Sequence, residues 1–383
     1  MNRPVSLARI LCVLALLVAT GCRSGGGGRA APEGTGAGDP HAGDARPGAD
    51  ATAYGDGWIW TAPGPAWVGL PAADGKEVTF TYGHQHLVLL DADGRRQWDT
   101  YRLGLRDVAP RLGADVVVAA TDDGVAAFRR SDGVALWDTP LAERANSPVM
   151  ARSLAITTTW EGSLAAFHLA DGKVAWRVAL PGPSLGPPAT DGSVVLATWD
   201  RSGTRSGGVV AIDASTGRQR WAVPLPGGGI SGPTLTGAGT AVVVAGDLAA
   251  HALALTTGEE RWRTALGGAG SPEVPPLAVD DRSVLVAHRL GGLDLLDVAT
   301  GRRSWKVATD GAAMRGGPIA GPAGTFALTL DDGRLLLAGP TRDTEFLRPP
   351  AGRVSGIATG PGGFLVSSQR EAPVNTVEAG PAW

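Results

Sequence analysis

Cysteine is almost missing. Cys12 and Cys22 are the only two in 383 residues, so the rest of the chain holds neither an internal disulfide nor a cysteine metal site, and its core must be held by packing alone. Lysine is nearly as scarce: Lys76, Lys173 and Lys306 stand among 34 basic residues. With abundant Ala and Gly, that bias is the mark of a GC-rich coding sequence, and no function is read from the arginines as a class. Gly-x-Ser-x-Gly, His-Glu-x-x-His and Walker patterns do not occur, which removes the usual sequence marks of α/β-hydrolases, zinc peptidases and P-loop nucleotide binding. Long apolar runs are missing too. The run over residues 10–19 is too short for a spanning helix.

That run has a second meaning. Arg3 and Arg9 precede it and the small residues Thr20 and Gly21 follow it, the layout of an export signal over residues 1–21. The stretch Ala19-Thr20-Gly21-Cys22 resembles the lipobox of bacterial lipoproteins, departing from it only in having Ala19 where that family prefers Leu. The resemblance implies that Cys22 is the acylated lipid anchor, carrying palmitate-type chains that hold an exported protein on the outer face of a bacterial cell membrane. Residues 22–53 are Gly, Ala, Pro, Asp and Arg with almost no large apolar group, too little to offset the entropy of ordering. They read as a tether, with an end-to-end distance of roughly 30 Å for a Gly-rich coil of about 30 residues. Cleavage before Cys22 leaves 32 basic (34 minus Arg3 and Arg9) against 37 acidic residues, a net charge of −5. Nucleic acid is not an expected partner.

From residue 54 onward the chain carries a regular pattern. Glycine makes up 57 of 383 residues, about twice the usual share, and it recurs in the pattern Gly, three residues, Trp: Gly94 to Trp98, Gly133 to Trp137, Gly172 to Trp176, Gly217 to Trp221, Gly258 to Trp262 and Gly301 to Trp305. Subtracting consecutive Trp numbers gives 39, 39, 45, 41 and 43. These spacings belong to a four-stranded propeller blade. Residues 146–180 show the unit as four short apolar segments, bounded by Glu161-Gly162 and Asp171-Gly172. Asp-Gly pairs at 123–124, 132–133, 171–172, 191–192 and 332–333 permit the positive backbone angles of tight hairpins. Each Trp holds a fixed place after a turn and is therefore read as a packing residue between neighbouring blades.

The unit Ala211-Ile212-Asp213-Ala214-Ser215-Thr216-Gly217-Arg218-Gln219-Arg220-Trp221 resembles the repeat of quinoprotein-like β-propellers. Asp297, Thr300, Gly301 and Trp305 repeat it, whereas Ala254, His168 and Arg129 replace the Asp in other units. The resemblance covers roughly residues 57–383 and implies an all-β fold, with 54–383 as one propeller. Phe346, 41 residues after Trp305, marks a weakened unit, and Trp60, 38 residues before Trp98, marks an incomplete one. A strand near Trp60 pairing with three C-terminal strands, 354–359, 364–368 and 374–378, would complete eight blades and remove two exposed sheet edges. Seven blades is the alternative.

Candidates for chemistry are few. Quinoprotein dehydrogenases share the repeat, but the vicinal disulfide common in them has no counterpart here, and the blades are short. His84 and His86 in Gly83-His84-Gln85-His86 would lie on one face of a strand, a possible metal pair lacking further ligands. The acid pairs 122–123, 280–281 and 331–332 sit at hairpins, where Asp bonds its own backbone. The expectation is a monomeric, non-catalytic scaffold without a cofactor, binding an envelope protein or surface component. A small-ligand sensor using the central channel is the alternative, and a dehydrogenase the remote one. The docking rim is placed where connections between blades and second hairpins share one end of the ring. It comprises Asn146, Arg201, Arg205, Glu273 and Arg315, with a loop at 200–208 accounting for the spacing of 45. The lipoprotein and sensor proteins that share this repeat are similar, and the former include outer-membrane assembly factors.

Overall fold

Seven four-stranded antiparallel sheets follow one another along the chain, over residues 72–101, 111–140, 149–179, 189–226, 234–265, 277–308 and 319–347, each with its strands in sequence order. We refer to them as sheets 1 to 7. The computed structural model describes residues 68–347, apart from 202–203, 229, 238, 268–273, 289–291, 313, 315–316 and 322–323. It also describes the backbones of strands Leu14–Ala15, Thr52–Tyr54, Gly57–Ile59, Arg353–Gly360 and Gly363–Gln369. No α-helix occurs among the described residues. The unit expected over 146–180 is realised as Val149–Ala151, Leu154–Thr158, Ser163–His168 and Val174–Ala179.

Burial explains the two sequence textures. The second and third strands of a sheet are buried on both faces, as in Val116–Ala120 and Ala249–Ala254, because adjacent sheets cover both sides; they therefore read as apolar runs, not as alternation. The outermost strand has one covered face and alternates, as in Val174–Ala179 and Gln219–Pro226. Apolar clusters lie between successive sheets. One joins Ile156 and Trp176 of sheet 3 to Val195 and Ile212 of sheet 4, and another joins Val209 and Trp221 of sheet 4 to Val243 and Leu253 of sheet 5. This is the packing of a propeller, with cores between blades.

Each tryptophan is aimed by a bulge. In sheets 1 to 6 the register between third and fourth strands shifts one step beyond the Trp pair, leaving the residue before Trp unpaired. A bulge there adds twist and turns the indole toward the next sheet. Trp98, Trp137, Trp176, Trp221 and Trp262 are buried. Their Nε1–H groups donate to the carbonyls of Arg130, Leu169, Ala214, Leu255 and Val298 in the following sheet, at 2.7 to 2.9 Å. The ring then lies on the next sheet's turn glycine: a Cβ on Gly172 would stand 2.6 Å from Trp137, and one on Gly258 2.7 Å from Trp221. Gly and Trp in the repeat are thus one contact, made between consecutive units.

The Asp of the repeat is a helper. Asp213 Oδ1 accepts from the hydroxyls and backbone N–H groups of Ser215 and Thr216, and the Ser215 hydroxyl and the Arg220 guanidinium hold its carboxyl far below the usual range. Where Ala254, His168 or Arg129 replaces it, the turn still closes through the glycine N–H, which donates to the carbonyl four residues back at 2.7 to 2.8 Å. One Asp-Gly pair differs from expectation. Gly124 does not adopt the left-handed angle of Gly133, Gly172, Gly192 and Gly333; it opens a strand where a Cβ would meet the Thr139 carbonyl.

The expected ring closure is not shown among the described residues. Gly57–Ile59 pairs with Thr52–Tyr54 across a tight turn, a local contact with little closure entropy, and not with the C-terminal strands. Trp60 and residues 374–378 lie outside the described residues. Gly363–Gln369 instead pairs antiparallel with Arg353–Gly360 and parallel with Leu14–Ala15. The backbone of Arg353–Gly360 lies against the inner strands of sheet 7 on one side and against Ala72–Ala73 of sheet 1 on the other.

Candidate functional site

A proline stands immediately before the innermost strand of every sheet: Pro71, Pro110, Pro148, Pro188, Pro233, Pro276 and Pro318, all buried. The inner edge of that strand faces the axis of the ring and has no hydrogen-bonded neighbour among the described strands. Proline removes an N–H donor there and fixes the entry angle, which blunts an edge that would otherwise pair with another chain. Six of these prolines line a cavity of about 740 Å³ at one end of the ring. Its wall is consequently apolar and poor in donors.

Among the described residues, charged and polar side chains come to this cavity from sheets 1 to 3 and the connections between them. His84, Asp122 and Trp160 come from the second hairpins, Arg106, Asp107, Asn146 and Ser147 from the connections before the inner strands, and Arg111 from the inner strand of sheet 2. Asn146 is 3% exposed. Its Nδ2 donates to Thr158 Oγ1 and the Ser184 carbonyl at 2.9 Å, and its Oδ1 accepts from Trp160 Nε1 at 2.8 Å. Asn146 thus lines the cavity with its amide fully hydrogen-bonded, and it fixes the Trp160 ring. Over that ring lie two guanidiniums, Arg106 at 4.9 Å and Arg144 at 4.6 Å from the centroid.

The two arginines differ in their company. Arg144 Nε donates to Glu161 Oε1 at 2.9 Å. Arg106, with 13% of its side chain exposed, has only Asp122 Oδ1 within ion-pair range, at 3.9 Å, and its Nε is buried with no hydrogen-bond partner among the described residues. Burial pulls its affinity for the proton down. Next to it, Asp107 has a buried Oδ1 without a partner and an Oδ2 at 3.4 Å from His84 Nε2. Burial pushes the Asp107 carboxyl up, against the pull of His84 and Arg106.

The remaining candidates are placed as follows. Arg201 and Arg205 are exposed at the tip of the second hairpin of sheet 4 and do not line the cavity; Arg201 Nε donates to the Pro181 carbonyl at 2.5 Å. The loop expected at 200–208 is largely ladder, because Val194–Arg201 and Ser206–Asp213 stay paired out to Arg201 and Ser206. Glu273, Arg315 and Cys22 lie outside the described residues. The histidine pair does not share a strand face: His84 sits in the turn with φ +57 and points to Asp107, while His86 Nδ1 bonds Asp99 Oδ1 at 2.9 Å and stacks on Tyr82. Among the described residues no group of three or more His, Cys, Asp or Glu is placed to hold a metal ion. Sequence reasoning missed the prolines, although their spacings of 39, 38, 40, 45, 43 and 42 follow the Trp period. It also missed Arg106 and Trp160.

A family model described as outer membrane protein assembly factor BamB, of the PQQ-like repeat type, matches residues 51–159, 124–205, 160–320 and 205–354. Among solved structures, BamB from Moraxella catarrhalis is similar at 16% identity and a TM-score of 0.63, over 79% of this chain and 91% of that one. A europium-containing methanol dehydrogenase is similar at 12% identity and 0.58, over 77% and 83%. The C-terminal WD40 domain of Sif2 gives 12% and 0.63, over 77% and 90%. At these identities the likeness is one of fold. No curated protein sequence matches the chain.

Proposed function

The chain belongs to the PQQ-like repeat β-propeller family described as outer membrane protein assembly factor BamB, and from that premise we propose that it is a non-catalytic scaffold that docks an envelope protein through the cavity end of its ring. In the same reading it is exported, held to the membrane by lipidated Cys22 and lifted from it by the tether of residues 22–53. One observation carries the docking face. The second hairpin of sheet 4 is built from strands of eight residues, Val194–Arg201 and Ser206–Asp213, against five or six for the strands of the other second hairpins in sheets 1 to 3. It projects Arg201, Thr204 and Arg205 at the end where the cavity opens, and Arg201 lies over the Trp199 ring at 5.9 Å. Loops carried on a rigid ladder are where binding residues concentrate. A photo-crosslinking residue placed at Arg205 should capture a discrete envelope protein in living cells, and one placed at Asp132, in a third hairpin at the opposite end, should not. Equal, diffuse labelling from both positions would remove the docking face.

We also read an eighth, incomplete blade in the C-terminal hairpin, because Arg353–Gly360 lies between the inner strands of sheets 7 and 1. Ending the chain after residue 347 would uncover the sides of sheets 7 and 1 against which that strand lies. The truncated protein is expected to lose its single cooperative unfolding transition, followed by circular dichroism in urea. Unchanged cooperativity and midpoint would leave a seven-bladed ring.

The cavity favours a second reading, a small-ligand site on the ring axis. Its volume falls within the usual range for ligand pockets, about 300 to 1,000 Å³, and it joins an apolar wall to a few convergent polar groups.

A further inference from the structure

Arg106 is a mostly buried arginine lining the cavity, with no side-chain hydrogen bond. A guanidinium carries five N–H donors in a planar fork, and this one is mostly buried, with its Nε unpaired and its one carboxylate neighbour at 3.9 Å. Burying a charge without hydrogen bonds is costly, and Asp122, with 65% of its side chain exposed, keeps its solvation by staying back. Yet the guanidinium is held in place. Thr81 Oγ1 donates to the Arg106 carbonyl at 3.0 Å, the Arg106 N–H donates to the Ala120 carbonyl at 3.1 Å, and the Trp160 ring, fixed by Asn146, supports the guanidinium plane. A donor set fixed by its surroundings and lacking an acceptor is a preorganised anion site.

Resting on the small-ligand reading of the cavity, we infer that Arg106 is the anchor for a carboxylate carried on an apolar body, which the proline-lined wall receives. The charge balance selects the anion. Asp107, Asp122 and Glu161 stand close by against Arg106, Arg144 and Arg111, so the site carries no excess positive charge, and a singly charged anion meets less repulsion there than the double charge of a phosphate. Geometry selects the same group, because the guanidinium fork matches a carboxylate through two parallel N–H···O bonds. The apolar body is selected by the wall, where Pro71, Pro110, Pro148, Pro188 and Leu185 offer no side-chain donor or acceptor. The same chemistry is presented by a free organic acid and by the C-terminus of a polypeptide.

The test is calorimetric titration of the full mature chain with hexanoate, with 1-hexanol, and with an apolar pentapeptide bearing either a free or an amidated C-terminus. Hexanoate is expected to bind and hexanol to bind about 10- to 100-fold more weakly, the loss of charge-assisted hydrogen bonds of about 1.5 to 3 kcal/mol. Arg106→Gln should weaken hexanoate by the same factor and leave hexanol unchanged, and Arg106→Lys should recover part of the loss. The comparison of acid with alcohol on the unaltered protein stands even if a variant folds poorly. Tighter binding of the free-terminus peptide than of hexanoate or the amidated peptide identifies a polypeptide end; hexanoate binding alone identifies a free acid. Equal binding of acid and alcohol overturns the carboxylate assignment and leaves the cavity as a ligand site. No binding by any probe overturns both.

Discussion

Replacing Trp221 by Ala should lower the stability of the propeller by about 3 to 5 kcal/mol, the usual loss for deleting a buried large aromatic. Three contributions act together at this residue. The indole is 8% exposed, so most of its apolar area returns to water, and about 25 cal/mol attaches to each Å². Its removal leaves a void between sheets 4 and 5, among Val209, Leu225 and Val243, which neighbours already constrained by two ladders cannot fill. The carbonyl of Leu255 also loses the N–H that reaches it at 2.8 Å, and an acceptor left unpaired in a buried setting costs about 1 to 3 kcal/mol by itself. Trp305→Ala is the internal comparison. Trp305 is half-buried and packs against Phe326 at 6.0 Å between ring centroids, next to the unit in which Phe346 replaces Trp. Its loss should cost clearly less. Urea denaturation of both variants decides the matter; equal midpoints would show that position in the repeat, and not docking on the next sheet, sets the cost.

The same contrast explains how much of the fold could be seen beforehand. Gly133, Gly172, Gly217, Gly258 and Gly301 are visible in the sequence as turn residues four places before each Trp, because a local bulge and turn reproduce that distance in every unit; that each lies under the Trp of the preceding unit is not visible, since that contact crosses between sheets. The degenerate last unit was visible for the same reason, through Phe346. Ring closure was not, since it depends on which distant strands meet. The residues around Gly57 pair with Thr52–Tyr54 across a tight turn, a local contact that needs no long-range closure. The site was harder still. Arg106 reads as one more arginine in a chain that uses little else for positive charge, and what distinguishes it is the lack of an acceptor where the ends of sheets 1, 2 and 3 converge. No spacing announces a missing hydrogen bond. Asn146 is the converse case. It was picked out because it stands at the entry to an inner strand, and that place is so enclosed that its amide is fully used in holding Trp160. The prolines fall between these cases, since their periodicity was open to inspection and only their common face on the axis gives it meaning.

Gly172→Ala should destabilise the protein by about 2 to 5 kcal/mol, and Gly239→Ala by only about 1 to 2. Both glycines are in tight turns with similar left-handed backbone angles, φ +70 and φ +65, so both variants incur the strain of an L-residue there, about 1 to 2 kcal/mol. They differ in what a Cβ would meet. At Gly239 nothing lies within 4 Å, and the strain is the whole effect. At Gly172 the new methyl would stand 2.6 Å from the Trp137 ring and 2.7 Å from Thr139 Oγ1, closer than real contacts allow. Neither neighbour yields easily: Trp137 is pinned by its bond to the Leu169 carbonyl at 2.8 Å and packs against Phe167, and Thr139 Oγ1 donates to the carbonyl of Gly172 itself at 2.7 Å. Relief requires sheets 2 and 3 to separate, which adds an overpacking cost of about 1 to 3 kcal/mol. Paired urea titrations measure the difference directly. If Gly239→Ala matched Gly172→Ala, the turn angle alone would account for the glycine of the repeat, and the close approach of each indole to the following turn would be a consequence of the ring and not one of its supports.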